Sequence, residues 1–248
     1  MKSEKLQELV AEQDLQTDLW WLAMALAGFL AAFLAAFGYP GAGSFWVWLS
    51  VAARLSIAVG VAQEPWGKVF RALLMFGLAA GVFAIFGDWL LVNWQERGRR
   101  VYFERGGAAL LESPLYLPLI WACAFVESGY AIVRIYGLAR RHLSPDKAAY
   151  AAMAAGGLIA AIWTACMDFW AVKAGWWTYK EGEGILGGSA LYVVIATALI
   201  HFAFLPLFSR FLDHPGGRTS ALTRYGAIMG VVIFVSYVAA HALVERRL

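Results

Sequence analysis

The chain alternates between long apolar runs and short polar stretches. Seven of the runs reach the length of about 20 residues that a helix needs to cross a bilayer. Peptide groups in lipid must be hydrogen-bonded within their own segment, and period-2 alternation is lacking, so these runs predict helices rather than strands. We therefore predict an all-α, polytopic seven-helix transmembrane bundle within residues 19–248. The approximate spans are 19–37, 45–62, 69–87, 114–138, 148–172, 190–208 and 221–243.

Residues 1–18 are polar and acidic and have no basic segment leading into a short apolar core, so they do not resemble a signal peptide. Leu6, Leu9 and Val10 fall on one helical face, and Gln13 follows at the same spacing. The pattern predicts a short amphipathic helix that lies on the membrane or contacts a partner. A solvated helical tail fits the same residues.

Composition strengthens the membrane assignment. The chain is 61% hydrophobic and only 15% charged, whereas soluble domains are about half apolar and about a quarter charged. A net charge of +3, scattered along the chain, does not indicate nucleic acid as a partner. The basic residues divide eleven to eight between the two sides, which slightly favours a cytoplasmic N-terminus. We expect a multi-pass protein of the cell inner membrane.

Two stretches, 88–125 and 168–202, follow a similar pattern: an aspartate at a helix end, an aromatic loop and a returning helix. Such similarity predicts an internal two-helix parallel repeat, with units of about 69–138 and 148–208, that places both loops and both aspartates on one membrane face. Chance similarity between two hydrophobic hairpins is the alternative. The matched pairs are Asp88 and Asp168, Tyr102 and Tyr179, Glu104 and Glu181, Ser113 and Ser189, and Tyr116 and Tyr192.

The second copy contains the motif D-x-x-A-x-x-x-G-x-W-x-Y, formed by Asp168, Ala171, Gly175, Trp177 and Tyr179. This motif resembles the signature of small integral-membrane carotenoid enzymes, the repeat-built lycopene cyclases and the related carotenoid hydratases. The resemblance covers about residues 168–195 and, more faintly, 88–120. It implies a helical membrane fold and a site at the helix-end aspartate and the aromatic loop.

The chain departs from that family after the loop. Where the cyclases carry adjacent glutamates, residues 187–192 read G-G-S-A-L-Y, and the first copy has a single acid, Glu112. Cyclising a polyene requires a proton donor and groups that stabilise the resulting cation. The family's usual acid therefore has no counterpart at this place.

Five ionisable residues lie within or at the edge of the apolar spans: Arg54, Glu127, Asp168, His201 and His241. Such groups are costly in lipid and usually face the bundle interior. Arg54 and Glu127 both lie near the middle of a span, which predicts an ion pair; the alternative makes Glu127 a buried proton donor. A histidine pair could ligate haem, but nothing in the spacing fixes its geometry. We predict no metal and no cofactor.

Asp168 lies among tryptophans, whose ring faces stabilise carbocations. The alternative is a structural acid bonded to loop backbone or paired with Lys173. The loop 96–107 carries four arginines and could hold a lipid phosphate, although a solvated surface loop is more common.

These features predict an isoprenoid- or carotenoid-modifying enzyme that protonates a polyene to cyclise or hydrate it. Asp168 and Asp88 would face a shared pocket, with Glu127 as a reserve acid. The alternatives are a non-catalytic pigment- or lipid-binding subunit of a larger membrane complex and, third, a transporter. Expected partners are a lipid or isoprenoid ligand, the membrane and other membrane subunits. The expected substrate-binding residues are Trp177, Tyr179, Tyr102, Trp176, Tyr192 and Tyr116.

Overall fold

The structure, a computed structural model, describes residues 3–38, 43–94, 96–102, 109–182, 184–185 and 188–245. Seven helices in this part of the chain are long and apolar enough to cross a membrane, which confirms the all-α fold and the seven spans. A shorter helix precedes them. The helices are α1 (Glu4–Ala11), α2 (Leu15–Gly38), α3 (Gly43–Gln63), α4 (Lys68–Trp89), α5 (Leu117–Ala139), α6 (Pro145–Lys173), α7 (Leu191–Leu212) and α8 (Arg218–Val244).

Helices α4 to α8 form a ring in which each helix packs on the next and α8 packs back on α4. Lipid supplies little hydrophobic drive between helices, so small residues that allow close approach stabilise such contacts. Gly81 of α4 is one example, because an added Cβ would clash with the carbonyl oxygen of Pro118. The α2–α3 hairpin lies outside the ring, with α3 against α4 and α2 against α6.

Helix α1 packs on the end of this bundle. The sequence predicted that it would lie on the membrane, contact a partner or be solvated, and these predictions are wrong for its apolar face. Leu6 and Leu9 are buried, and the helix contacts α4, α5 and α7. Ser3 caps it by accepting from the Leu6 N–H at 3.1 Å and donates to Asp213 at 2.9 Å. The apolar face thus covers bundle surface of the same chain. The polar segment is also shorter than predicted, because α2 already begins at Leu15.

The polar loops contain short strands that the apolar pattern does not predict. A π-helical turn, Leu90–Trp94, follows α4. Strand β1 then pairs antiparallel with β4, β2 with β3 and β5 with β6. The β1–β4 pair joins the loop after α4 to the loop after α6, and so positions the candidate site. The strands are β1 (Arg99–Tyr102), β2 (Ala109–Leu110), β3 (Ser113–Pro114), β4 (Trp177–Lys180), β5 (Gly184–Ile185) and β6 (Ser189–Ala190).

Candidate functional site

The β1–β4 pair sets two similar loops against each other. Gly98 and Gly175, one just before each strand, both have positive φ, +74° and +72°. Glycine adopts this left-handed conformation without the steric cost that a Cβ brings. The local sequences are G-x-R-x-Y in the first loop and G-x-W-x-Y in the second, so Arg100 takes the position that Trp177 has in the motif. The internal repeat itself stays a prediction, and one of its matched residues, Glu104, lies outside the described residues.

Each predicted aspartate accepts a hydrogen bond from the tyrosine of its own loop. The Tyr102 hydroxyl donates to Oδ1 of Asp88 at 2.8 Å, and the Tyr179 hydroxyl donates to Oδ2 of Asp168 at 2.8 Å. Both aspartates are buried at the ends of α4 and α6. The structure therefore brings together four of the residues that the sequence selects.

Arg100 connects the two halves of the site. Its Nη1 lies 3.2 Å from Oδ1 of Asp88, and its Nε and Nη2 donate to the Tyr179 hydroxyl at 3.1 and 2.6 Å. The guanidinium also lies over the Trp177 ring, 5.1 Å from its centroid. The expectation of a solvated or phosphate-binding loop is wrong for Arg100, because two buried carboxyl groups draw the cation inward. We call Asp88, Arg100, Tyr102, Asp168 and Tyr179 the carboxylate network.

The two tyrosines of the network remain protonated in the folded protein. Burial raises the pKa of Tyr102 and the pKa of Tyr179 well above the ordinary value for a phenol. Both hydroxyls therefore act as donors to their aspartates at physiological pH. The charge of the network rests on two carboxyl groups and one guanidinium.

A cavity extends from the network into the membrane-spanning part of the bundle. It contains about 930 Å³ of space free of protein atoms, part of which is open to the surroundings. Asp168, Arg100 and Trp177 lie at its loop end, and Arg54, Glu127 and His201 also line it. At about 1.5 Å per residue, the wall formed by α5 from Leu117 to Glu127 is about 15 Å long. The cavity thus extends about 15 Å along the helix axes, and its remaining wall is mainly apolar and aromatic.

The other predicted site residues lie around this cavity in different ways. Trp176 lines the cavity, as predicted for a substrate-binding residue. The expectation that both aspartates face one pocket is wrong, because Asp168 lines this cavity and Asp88 does not. The reason is that Arg100 lies between the two carboxyl groups. Tyr192 is buried and donates to the Gly98 carbonyl at 2.8 Å, which fixes the first loop. Tyr116 packs its ring edge-on against Trp48 at a centroid distance of 5.8 Å.

Glu127 forms the predicted ion pair with Arg54. Nη1 of Arg54 lies 3.4 Å from Oε1 of Glu127, and both side chains are buried. The ion pair that the sequence predicts for these two residues is therefore confirmed. The alternative in which Asp168 pairs with Lys173 is wrong. Nζ of Lys173 instead lies over the Phe169 ring, 4.5 Å from its centroid.

The two membrane histidines are held separately by backbone carbonyls. His201 contacts the Thr197 carbonyl and His241 contacts the Arg97 carbonyl, each at 2.8 Å. In the described part of the chain, no three His, Cys, Asp or Glu side chains come together as a metal site.

Sequence reasoning missed Arg100 and the place of His201 in the cavity wall. The match of Gly98-x-Arg100 to Gly175-x-Trp177 is the signal that could have revealed Arg100.

Comparison with known proteins adds one finding. A family model described as a domain of unknown function, DUF6989, matches residues 85–244. No curated protein and no solved structure matches the chain. The matched region begins just before Asp88 and continues to the end of α8, so it includes the carboxylate network and Glu127 but not Arg54. The chain therefore belongs to the DUF6989 family.

Proposed function

We propose that the protein binds an elongated isoprenoid in the cavity and that Asp168 protonates one of its double bonds. The observation that carries this proposal is the position of Asp168 at the loop end of a mainly apolar cavity in the membrane. Sites for apolar ligands typically combine apolar walls with a few placed polar groups. A carboxyl group at one end of such a cavity can donate its proton to a double bond of a bound polyene.

The charges of the network favour a bound proton. Arg100 balances one of the two carboxylates, so the electroneutral form of the network holds one proton on the carboxyl pair. An uncompensated buried charge is costly, and this favours the electroneutral form. Because Asp88 has the direct contact with Arg100, the proton is assigned to Asp168.

The proposed reaction begins when the Asp168 carboxyl gives its proton to one carbon of a double bond. The other carbon becomes a cation. In cyclisation, a second double bond of the same chain attacks the cation, and a proton then leaves to the Asp168 carboxylate, so the product is an isomer. In hydration, water attacks and its extra proton returns to Asp168. Trp176 and Trp177 line the cavity, and their ring faces would stabilise the cation.

The second candidate is a non-catalytic lipid- or pigment-binding subunit. The substitution of Arg100 for the motif tryptophan favours it, because a fixed guanidinium stabilises the charged form of nearby carboxylates. The acid pair of the resembling cyclases is also missing from this chain. In this case the network serves to join the two loops and the cavity serves to hold the ligand.

Mass spectrometry of isoprenoids and pigments in cells that carry the intact or the Asp168→Asn protein distinguishes these functions. We expect a cyclised or hydrated product to disappear in Asp168→Asn while the protein still purifies as a folded species. Asp146→Asn is the matched control, since Asp146 lies in the first turn of the same helix at its opposite end. An unchanged profile with folded Asp168→Asn would contradict the enzyme and favour the binding subunit.

A further inference from the structure

His201 lines the cavity and has a hydrogen-bond acceptor without a partner among the described residues. Its Nδ1–H donates to the Thr197 carbonyl at 2.8 Å. A carbonyl oxygen only accepts, so Nδ1 carries the hydrogen and Nε2 of the neutral ring is left with a lone pair. Nε2 is buried and has no hydrogen-bond partner among the described residues, and the residue is 2% exposed. A buried polar atom without a partner is unfavourable, which indicates that a bound molecule supplies one.

The Glu127 carboxylate in the same cavity wall has partners of its own. Arg54 donates to its Oε1, and the Trp163 side chain, which also lines the cavity, contributes a further hydrogen bond. His201 is therefore the acceptor that calls for a neutral group able to donate one hydrogen bond.

His201 lies well away from the carboxylate network. On α7, the wall of the cavity runs from Val193 near the loops to His201, eight residues further on. At about 1.5 Å per residue this corresponds to about 12 Å along the helix. A ligand that fills the cavity therefore meets the network at one end and His201 deep in the membrane.

We infer that the inner part of the cavity binds the hydroxyl group of its ligand, so that the ligand is an isoprenoid alcohol or a hydroxylated polyene rather than a plain hydrocarbon. The hydroxyl donates its one hydrogen to Nε2 of His201. The inference rests on the proposed function in one respect, namely that this cavity is the ligand site. It adds the polar group that the ligand carries.

A binding assay on the purified full-length protein in detergent tests the inference. Tritiated geranylgeraniol is the probe, and the competitor is the hydrocarbon in which hydrogen replaces its hydroxyl. We expect the hydrocarbon to compete about tenfold more weakly than unlabelled alcohol, the effect of one buried hydrogen bond. In His201→Phe, which keeps a flat ring beside Phe125, the two competitors should become equal.

Two further variants keep the result interpretable. His201→Leu repeats the test with a smaller side chain in case the phenyl ring does not fit. His214→Phe is the matched control, because it makes the same substitution at a histidine that does not line the cavity and that contacts the Ser220 hydroxyl at 3.2 Å, and it should retain the tenfold preference. Equal competition in the unmodified protein, or a preference that survives both His201 variants, would overturn the inference alone. If neither compound binds, the cavity is not the ligand site and the proposed function fails with it.

Discussion

Arg100 and Tyr179 face each other across the β1–β4 strand pair, and the guanidinium donates to the phenol oxygen through both Nε and Nη2. The same phenol donates its own hydrogen to Asp168. Tyr179 therefore relays the effect of one cation to a carboxyl group that the cation does not touch directly. Because Arg100 also contacts Asp88, a single arginine organises both aspartates.

Removal of Arg100 should destabilise the protein strongly. Arg100→Leu leaves Asp88 buried without its cation, and breaking a buried pair from one side costs about 3–5 kcal/mol. We expect the apparent Tm in detergent to fall by about 10 °C, measured by tryptophan fluorescence on heating. The double variant Arg100→Leu/Asp88→Asn should recover at least half of this loss. If the single and double variants melt together, the ion pair does not stabilise the site.

Tyr179→Phe should cost more stability than Tyr102→Phe. The first change removes the donor to Asp168 and the acceptor for two Arg100 nitrogens, whereas the second removes only a donor to Asp88. We expect a loss of about 1–3 kcal/mol for Tyr179→Phe from chemical or thermal unfolding. Tyr225→Phe, whose ring packs on Phe211 near the opposite end of the bundle, is the control. Equal losses for Tyr179 and Tyr102 would contradict the relay.

The buried tyrosines make stability fall at high pH. Burial raises the pKa of Tyr102 and Tyr179 in the folded protein, so their phenols stay protonated where an unfolded chain ionises. The unfolded state then binds fewer protons than the folded state, and the free energy of unfolding decreases as pH rises above about 10. Unfolding titrations between pH 8 and 11 should show this decrease, and it should be smaller in Tyr102→Phe/Tyr179→Phe. Phenolate absorbance near 295 nm should report ionisation of these two residues only on unfolding.

Gly175 and Gly60 should respond to alanine in opposite directions. Neither glycine has an atom within 4 Å of an added Cβ, so the space available is the same. Gly175 has a φ of +72°, where alanine is strained by about 1–2 kcal/mol. Gly60 lies inside helix α3, where alanine is favoured over glycine by up to about 1 kcal/mol. Thermal unfolding of the two variants gives the comparison, and a stabilised Gly175→Ala would show that the turn does not need its left-handed residue.

The spans and the Arg54–Glu127 pair could be predicted because each follows from the cost of polar groups in lipid. Apolar run length gives the helices directly, and two opposite charges near the middle of spans have few other partners. The predicted pair therefore needed little knowledge of how the helices pack. Its only three-dimensional assumption was that α3 and α5 approach each other, and these helices do so in the fold.

The role of Arg100 could not be predicted in the same way. A basic residue in a polar loop is usually solvated, and its burial here depends on the pairing of β1 with β4, which joins segments far apart in sequence. The strands are too short for an alternating pattern to reveal them. Leu6 and Leu9 present a similar case. Their amphipathic pattern indicates that this face of α1 packs against an apolar surface, but it does not identify that surface as the end of the bundle.

The ion pair between Arg54 and Glu127 also constrains the order of events during synthesis. Arg54 enters the membrane with α3, while its partner lies 73 residues further along the chain. At about 5–20 residues per second, the ribosome needs roughly 4–15 s to reach Glu127. Throughout that interval α3 carries an unneutralised arginine near its centre, at an insertion cost of about 2.5 kcal/mol or more. The arginine of the second membrane span therefore gains its buried partner only when the fourth span arrives.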